Sequence, residues 1–312
     1  MTLPARVQIV EVGPRDGLQN EALIVPVEAR ARLIELLAHA GLRRIEAGSF
    51  VSAKAVPQMA GTADVLASLQ LTQKPRLAAL VPNMQGFDAA TAAGVDEIAI
   101  FAAASESFSR RNLGCGIDES FDRFASVSAA AKRAGLPVRG YVSCALGCPY
   151  EGKVELGRVN EVALRLVDLG CYEISLGDTI GVGTPLAARR LVEGVAQLIS
   201  IERIAVHFHD TYGQALANIF ACLEAGVSVV DSSVAGLGGC PFAPGAAGNV
   251  ATEDVVYMLH GCGVETGVDE GKLLDATRFI CAILGRPPES KAARACLGGE
   301  ALPWRRGAPD AS

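Results

Sequence analysis

The sequence predicts a single (β/α)8 barrel followed by added C-terminal helices. Three observations carry that prediction. Eight short apolar or β-branched runs alternate with longer amphipathic stretches. Several of those stretches end in a glycine that leads into the next run. The length, 312 residues, is great for an ordinary domain but normal for one α/β barrel.

The predicted strands are 7–12 (VQIVEV), 43–47 (RRIEA), 76–81 (RLAALV), 96–101 (DEIAIF), 138–143 (VRGYVS), 172–176 (YEISL), 203–208 (RIAVHF) and 228–233 (SVVDSS). Helices are predicted near 27–40, 60–70, 84–93, 119–134, 156–169, 185–199 and 213–225, with an eighth near 250–260. In 213–225, Leu216, Ile219, Phe220 and Leu223 recur at helical spacing, and Gly226 stops the run. Gly41, Gly94, Gly135 and Gly170 hold the same helix-ending position elsewhere. Parallel βαβ units follow from this order, and eight is the strand number that closes a barrel. An open doubly wound sheet is the alternative. Residues 268–284 read as one or two further helices, with helical character to about 296, and the Gly-, Pro- and Arg-rich tail from about 298 is expected to fray. No linker stands out, so residues 1–312 read as one catalytic domain with its barrel over about 5–262.

Composition narrows the function. Half of the residues are hydrophobic (50%) and only 5% aromatic, so the core is expected to be Ala, Val, Leu and Ile, as suits strands buried on both faces. A net charge of −6 without runs of like charge argues against a nucleic-acid partner. Arg110, Arg111 and Lys153 are local basic spots for a phosphorylated ligand. No apolar stretch is long enough to span a membrane. The start, MTLPARVQIVEV, lacks a leader pattern, which makes the cytoplasm the expected compartment. The nine cysteines include no Cys-x-x-Cys pair, and Cys144 and Cys148 have no second pair to complete a zinc cage. They read as reduced thiols.

Active sites of such barrels lie at the C-terminal ends of the strands. The unusual polar residues of this chain fall there: Arg15 and Asp16, Glu46 and Ser49, Ser175 and Asp178, His207 and His209, and Asn249. His207 and His209 are two apart on a strand, so both face the barrel interior or neither does. With Asp16 and Asn249 arriving at the same rim, two nitrogens and two oxygens form a candidate site for one divalent cation, with Mg2+ or Mn2+ favoured over Zn2+. Arg15 reads either as an ion-pair partner of Glu11 or another interior carboxylate, or as a guanidinium aimed at developing negative charge. Cys240, in the glycine-rich loop GLGGCPFAPGAAGN (236–249), is a candidate for proton transfer from a closing lid. Glu46 and Asp178 are candidate bases or supports of the cation site. No nucleotide-binding glycine motif is present.

Together, EVGPRDGLQNE (11–21), IEAGSFVSAKAVPQM (45–59), ESFDRF (119–124), LGCPYEGKV (146–154), SLGDTIGVGTP (175–185), HFHDTYGQALAN (207–218), GLGGCPFAPGAAGN (236–249) and ATEDVVYML (251–259) resemble the 3-hydroxy-3-methylglutaryl-CoA lyases. The resemblance implies metal-dependent cleavage of hydroxymethylglutaryl-CoA to acetyl-CoA and acetoacetate. It implies cation ligands Asp16, His207, His209 and Asn249, an enolate-stabilising Arg15, a proton-transferring Cys240, and supporting roles for Glu46 and Asp178. Substrate contacts are expected from Arg15, Gln19, Ser49, Ser175 and Asn112. The expected partner is a small acyl-CoA, with assembly as a homodimer or higher homo-oligomer. Ala22 stands where many members carry lysine, and Gly48 where threonine is expected, so both bear on which acyl group is accepted. A lyase for longer 3-hydroxy-3-alkylglutaryl-CoAs and a synthase condensing acetyl-CoA with a 2-oxo acid are the alternatives. A third is a binding module that kept only the metal site. Cys296 falls where members can carry a C-terminal cysteine with a redox role.

Overall fold

The computed structural model describes residues 3–239 and 248–298. Eight parallel strands close a barrel in chain order: β1 (Gln8–Glu11), β2 (Arg44–Ser49), β3 (Arg76–Leu80), β4 (Glu97–Ala103), β5 (Val138–Ser143), β6 (Glu173–Asp178), β7 (Ile204–Phe208) and β8 (Val229–Ser232), with β8 pairing back onto β1. This excludes the open sheet. Each strand lies within two residues of its predicted bounds.

Around the barrel run α1 (Val27–His39), α2 (Thr62–Ser68), α3 (Met84–Ala92), α4 (Glu106–Leu113), α5 (Ile117–Ala134), α6 (Leu156–Asp168), α7 (Pro185–Val195), α8 (Ala215–Glu224) and α9 (Thr252–Gly261). Gly41, Gly94, Gly135, Gly170 and Gly226 all have the left-handed φ that ends a helix, between 69° and 102°. The helix predicted over 185–199 stops at Val195. Helix α4 was not predicted, because ESFSRRNL carries too few apolar residues for a helical stripe. Its ends explain it: Ser105 Oγ accepts from Phe108 N at 3.1 Å, and Gly114 closes it at φ 70°.

The layer between sheet and helices is the Ala, Val, Leu and Ile core expected from composition. The barrel interior is not. Arg44, Glu97, Arg139, Glu173 and Asp231 meet across it, through bonds that join β2 to β6 and β5 to β8. Such charges are tolerated in a dry interior because each is paired. Two apolar groups complete the interior, Val10, Val12, Ala205 and Val229 on one side and Leu80, Ala99 and Tyr141 on the other.

Two added helices follow, α10 (Glu270–Leu284) and α11 (Lys291–Leu297). α10 packs on α1 and on residues 234–236. Glu253 of α9 accepts from Ala235 N at 2.8 Å and also from Thr277 of α10. Asp254 accepts from Ser290 Oγ and Ala292 N at 2.7 Å, capping α11. These contacts fix Ala235, whose φ of 60° is left-handed, just before the glycine-rich segment at the barrel rim. The tail from 299 lies outside the described residues.

Candidate active site

Strand β1 leads into a single turn over Gly13–Gly17, in which Gly17 N donates to Val12 O at 3.2 Å. The glycines are required there. A Cβ at 13 would lie 2.6 Å from Glu11 Oε1, and one at 17 would lie 2.7 Å from Ser233 Oγ. The turn aims Arg15 and Asp16 into the barrel mouth. Arg15 Nε and Nη2 both lie 2.7 Å from Glu46 Oε2, and Nη1 donates to Asp16 Oδ1 at 2.6 Å. Three of its five N–H groups are thereby used, leaving one on each terminal nitrogen. The interior carboxylate that pairs with Arg15 is Glu46; Glu11 instead accepts from Gly13 N, Val234 N and Thr252 Oγ1.

His207 and His209 come from the end of β7 and the residue just beyond it, with ring centroids 5.5 Å apart. Asn249 reaches them because residues 248–250 lie antiparallel to the end of β7: Val250 N donates to Phe208 O and Asp210 N to Gly248 O. Asp16, His207 and His209 each offer a ligand atom, all within 4.8 Å of one another. The donor set of carboxylate and imidazoles fits a divalent cation. His209 Nδ1 is buried without a hydrogen-bond partner, an atom that a cation would satisfy. Asn249 departs from the expected set. Its amide nitrogen faces Asp16 Oδ2 at 2.8 Å, so its oxygen becomes a ligand only after the amide turns over.

Burial alone would raise the Asp16 carboxyl, but Arg15, the two histidines and the Asn249 bond outweigh it and pull it down to about 2. Burial, helped by His207, lowers the His209 imidazole to about 4. Both groups thus stand ready as ligands at neutral pH. Burial raises Glu46 despite Arg15.

The cluster and Arg15 line a cavity of about 570 Å³. Gln19, Asn20, Asn112, Thr179 and Gly239 also line it, together with the apolar side chains of Val56, Leu80, Phe101, Leu113 and Phe124. Gln19 and Asn112 therefore stand where substrate contacts were expected. Ser49 and Ser175 do not: Ser49 Oγ donates to Leu80 O at 3.3 Å and Ser175 Oγ to Asp231 Oδ2 at 2.9 Å, and neither lines the cavity. Asp178 is also turned away, its carboxylate taking the amides of Val182 at 3.1 Å and Gly183 at 2.8 Å. Glu46 lies beneath Arg15 rather than on the wall. Neither carboxylate lines the cavity in this arrangement. Cys240 and residues to 247 lie outside the described residues; Gly239, on the cavity wall, accepts from Asn20 Nδ2 at 3.0 Å.

Gly48 faces away from the cavity. A Cβ there would lie 2.6 Å from both the methyl and the hydroxyl of Thr62. Ala22 is exposed and does not line the cavity either. Neither position lines this cavity.

Sequence reasoning missed Arg139, Tyr141 and Asp231. His207 Nδ1 lies 3.3 Å from Asp231 Oδ2, and Arg139 grips both oxygens of Asp231 at 2.7 and 3.0 Å. Burial opposes ionisation of Asp231, but Arg139 and the His207 bond hold it well below the usual carboxylate range. The Tyr141 ring stands edge-on to His207. The one available signal was Asp231 itself, an acid inside the apolar run SVVDSS.

Fold and site together define a closed (β/α)8 barrel with a rim able to hold a divalent metal beside a buried arginine. The chain belongs to the HMGL-like family, whose family model matches residues 6–280. It is 60% identical to the mitochondrial hydroxymethylglutaryl-CoA lyase of Rattus norvegicus over 294 residues, 94% of this chain and 90% of that one. It is 57% identical to the 3-hydroxy-3-isohexenylglutaryl-CoA/hydroxy-methylglutaryl-CoA lyase of Pseudomonas aeruginosa over 297 residues, 95% of this chain and 99% of that one. A solved HMG-CoA lyase of Acinetobacter baumannii in complex with coenzyme A and 3-methylmalate superposes with a TM-score of 0.91 at 36% identity, covering 97% of this chain and 99% of that one. Among the described residues, no helix is long and apolar enough to cross a membrane.

Proposed function

We propose that this chain is a single-domain, divalent-cation-dependent lyase that cleaves 3-hydroxy-3-methylglutaryl-CoA to acetyl-CoA and acetoacetate. The observation that carries the reading is the junction of the Asp16, His207 and His209 cluster with Arg15 in the lining of one cavity. A Mg2+ or Mn2+ ion at the cluster, with Asn249 turned to join it, would lower the pKa of a hydroxyl bound there. Loss of the hydroxyl proton to a base lets C3 become the ketone of acetoacetate, and the electron pair of the broken C2–C3 bond passes onto the thioester, placing negative charge on its oxygen. The two unused N–H groups of Arg15 are the donors for it, and Glu46 holds the guanidinium in place for that task. Cys240 supplies the proton to the enolate carbon, from the segment that follows Gly239 on the cavity wall.

A second reading, a lyase that also accepts a longer C3 alkyl group, is favoured by the apolar side chains of Val56, Leu80, Phe101, Leu113 and Phe124 in the cavity lining. The name of the Pseudomonas aeruginosa relative, a 3-hydroxy-3-isohexenylglutaryl-CoA/hydroxy-methylglutaryl-CoA lyase, agrees with it. Purified protein is assayed with Mg2+ against C3-methyl and longer C3-alkyl substrates, and in parallel against acetyl-CoA plus 2-oxo acids. Acetoacetate from the methyl substrate is expected. Free CoA from the 2-oxo acids alone would replace the lyase by a condensing synthase.

A further inference from the structure

The charged column inside the barrel ends on His207. Glu173 Oε1 accepts from Arg139 Nε at 2.6 Å; Arg139 in turn holds both oxygens of Asp231 at 2.7 and 3.0 Å. Asp231 Oδ2 then faces His207 Nδ1 at 3.3 Å. On the opposite edge of the ring, His207 Nε2 lies 3.7 Å from Asp16 Oδ2. Asp231 and Arg139 are each 1% exposed, so bulk solvent does not reach the bonds between them.

We propose that Asp231 is a positioning residue for the cation site: it fixes His207 in the Nδ1–H tautomer, because Asp231 Oδ2 stands within hydrogen-bond reach of Nδ1 whereas Asp16 Oδ2 lies beyond it from Nε2, and so leaves the Nε2 lone pair free for a cation shared with Asp16. An ionised carboxylate can only accept a hydrogen bond, so the imidazole nitrogen against it must carry the proton. The neutral ring has one proton, and Nε2 is left bare as a ligand. Arg139 makes the arrangement rigid, because its planar fork occupies both Asp231 oxygens and forbids rotation of the carboxylate. Ser175 Oγ donates to the same oxygen as His207 at 2.9 Å and fixes the carboxylate plane further. The charged residues inside the barrel, distant from any ligand, thereby reach the cation site through one hydrogen bond.

The cation half of this proposal rests on the function proposed above; the tautomer half does not. The chain has four histidines, so nitrogen-resolved NMR of the rings in metal-free protein at pH 8 is tractable, with His207→Gln giving the assignment. His207 is expected to carry its proton on Nδ1. A proton on Nε2 in the unsubstituted protein would overturn the proposal without any variant of Asp231. Asp231→Asn places an N–H donor against either Arg139 or His207, so the tautomer preference should be lost and the Mn2+ affinity should fall about 10–100-fold by calorimetry. A role limited to stability would lower the unfolding temperature of Asp231→Asn while leaving both the tautomer and the Mn2+ affinity unchanged, and that result would also overturn it. If the unsubstituted protein binds no Mn2+, the cation reading fails, and the ring spectra still decide the role of Asp231.

Discussion

Arg15 places Nε and Nη2 on one oxygen of Glu46, at 2.7 Å each, and leaves the other Glu46 oxygen, Oε1, buried without a partner. Glu46 is thus an anchor for the arginine that faces the ligand. Glu46→Ala is expected to cost about 3–5 kcal/mol in urea unfolding, as for other broken buried pairs. Turnover should fall with it, while Mn2+ affinity stays close to normal because Glu46 touches no cation ligand except through Arg15. Unchanged turnover in a folded Glu46→Ala protein would remove Arg15 from the reaction.

Cys240→Ser tests the proton-transfer role. The expected loss of turnover is about 10²–10⁴-fold, with Mn2+ binding retained. Full activity in the serine variant would return Cys240 to the ordinary thiols of the chain.

Gly48→Thr is expected to destabilise the protein by about 1–3 kcal/mol, because the new side chain meets Thr62 at 2.6 Å. Thr62→Gly in the same chain should recover much of that loss in thermal melts. The ratio of activities toward C3-methyl and longer C3-alkyl substrates should not move. A shifted ratio would put position 48 back at the acyl pocket.

Glu11 gives a pH signature of stability. Burial outweighs its bonds from Thr252, Val234 and Gly13 and pushes its carboxyl up to about 7 from the model-compound 4.5. The folded state then holds a proton that the unfolded chain has released, so stability falls as pH rises between about 4.5 and 7, by on the order of 3 kcal/mol. Glu11→Gln keeps an acceptor for Gly13 and Val234 and should flatten part of that slope. Glu253, raised by burial to about 7 as well, should preserve the remainder. Equal slopes in urea titrations from pH 4.5 to 8 would contradict the buried protonated state of Glu11.

The barrel was legible because eight apolar runs alternate with amphipathic stretches, five of which end in a glycine. The cation cluster was legible because strand alternation forces His207 and His209 to share a face and the Arg15–Asp16 turn sits at a strand end. What escaped the sequence depends on register and on distant pairing. The irregularity of β2 between Glu46 and Gly48 turns Gly48 outward, where plain alternation would send it in beside Glu46. Gly177 lines the cavity, yet Asp178, the very next residue, turns to the backbone of its own loop. The pairing of Arg139 with Asp231 joins residues 92 apart, and no local pattern marks it.

The most direct test of the cation-centred lyase is a titration of metal-free protein with Mn2+, followed at once by electron paramagnetic resonance and by acetoacetate release from hydroxymethylglutaryl-CoA. One bound Mn2+ per chain should restore turnover in proportion to occupancy, and His207→Ala and His209→Ala should each shift both curves to higher Mn2+. Full turnover before any Mn2+ is added, or unaltered affinity in both histidine variants, would contradict it.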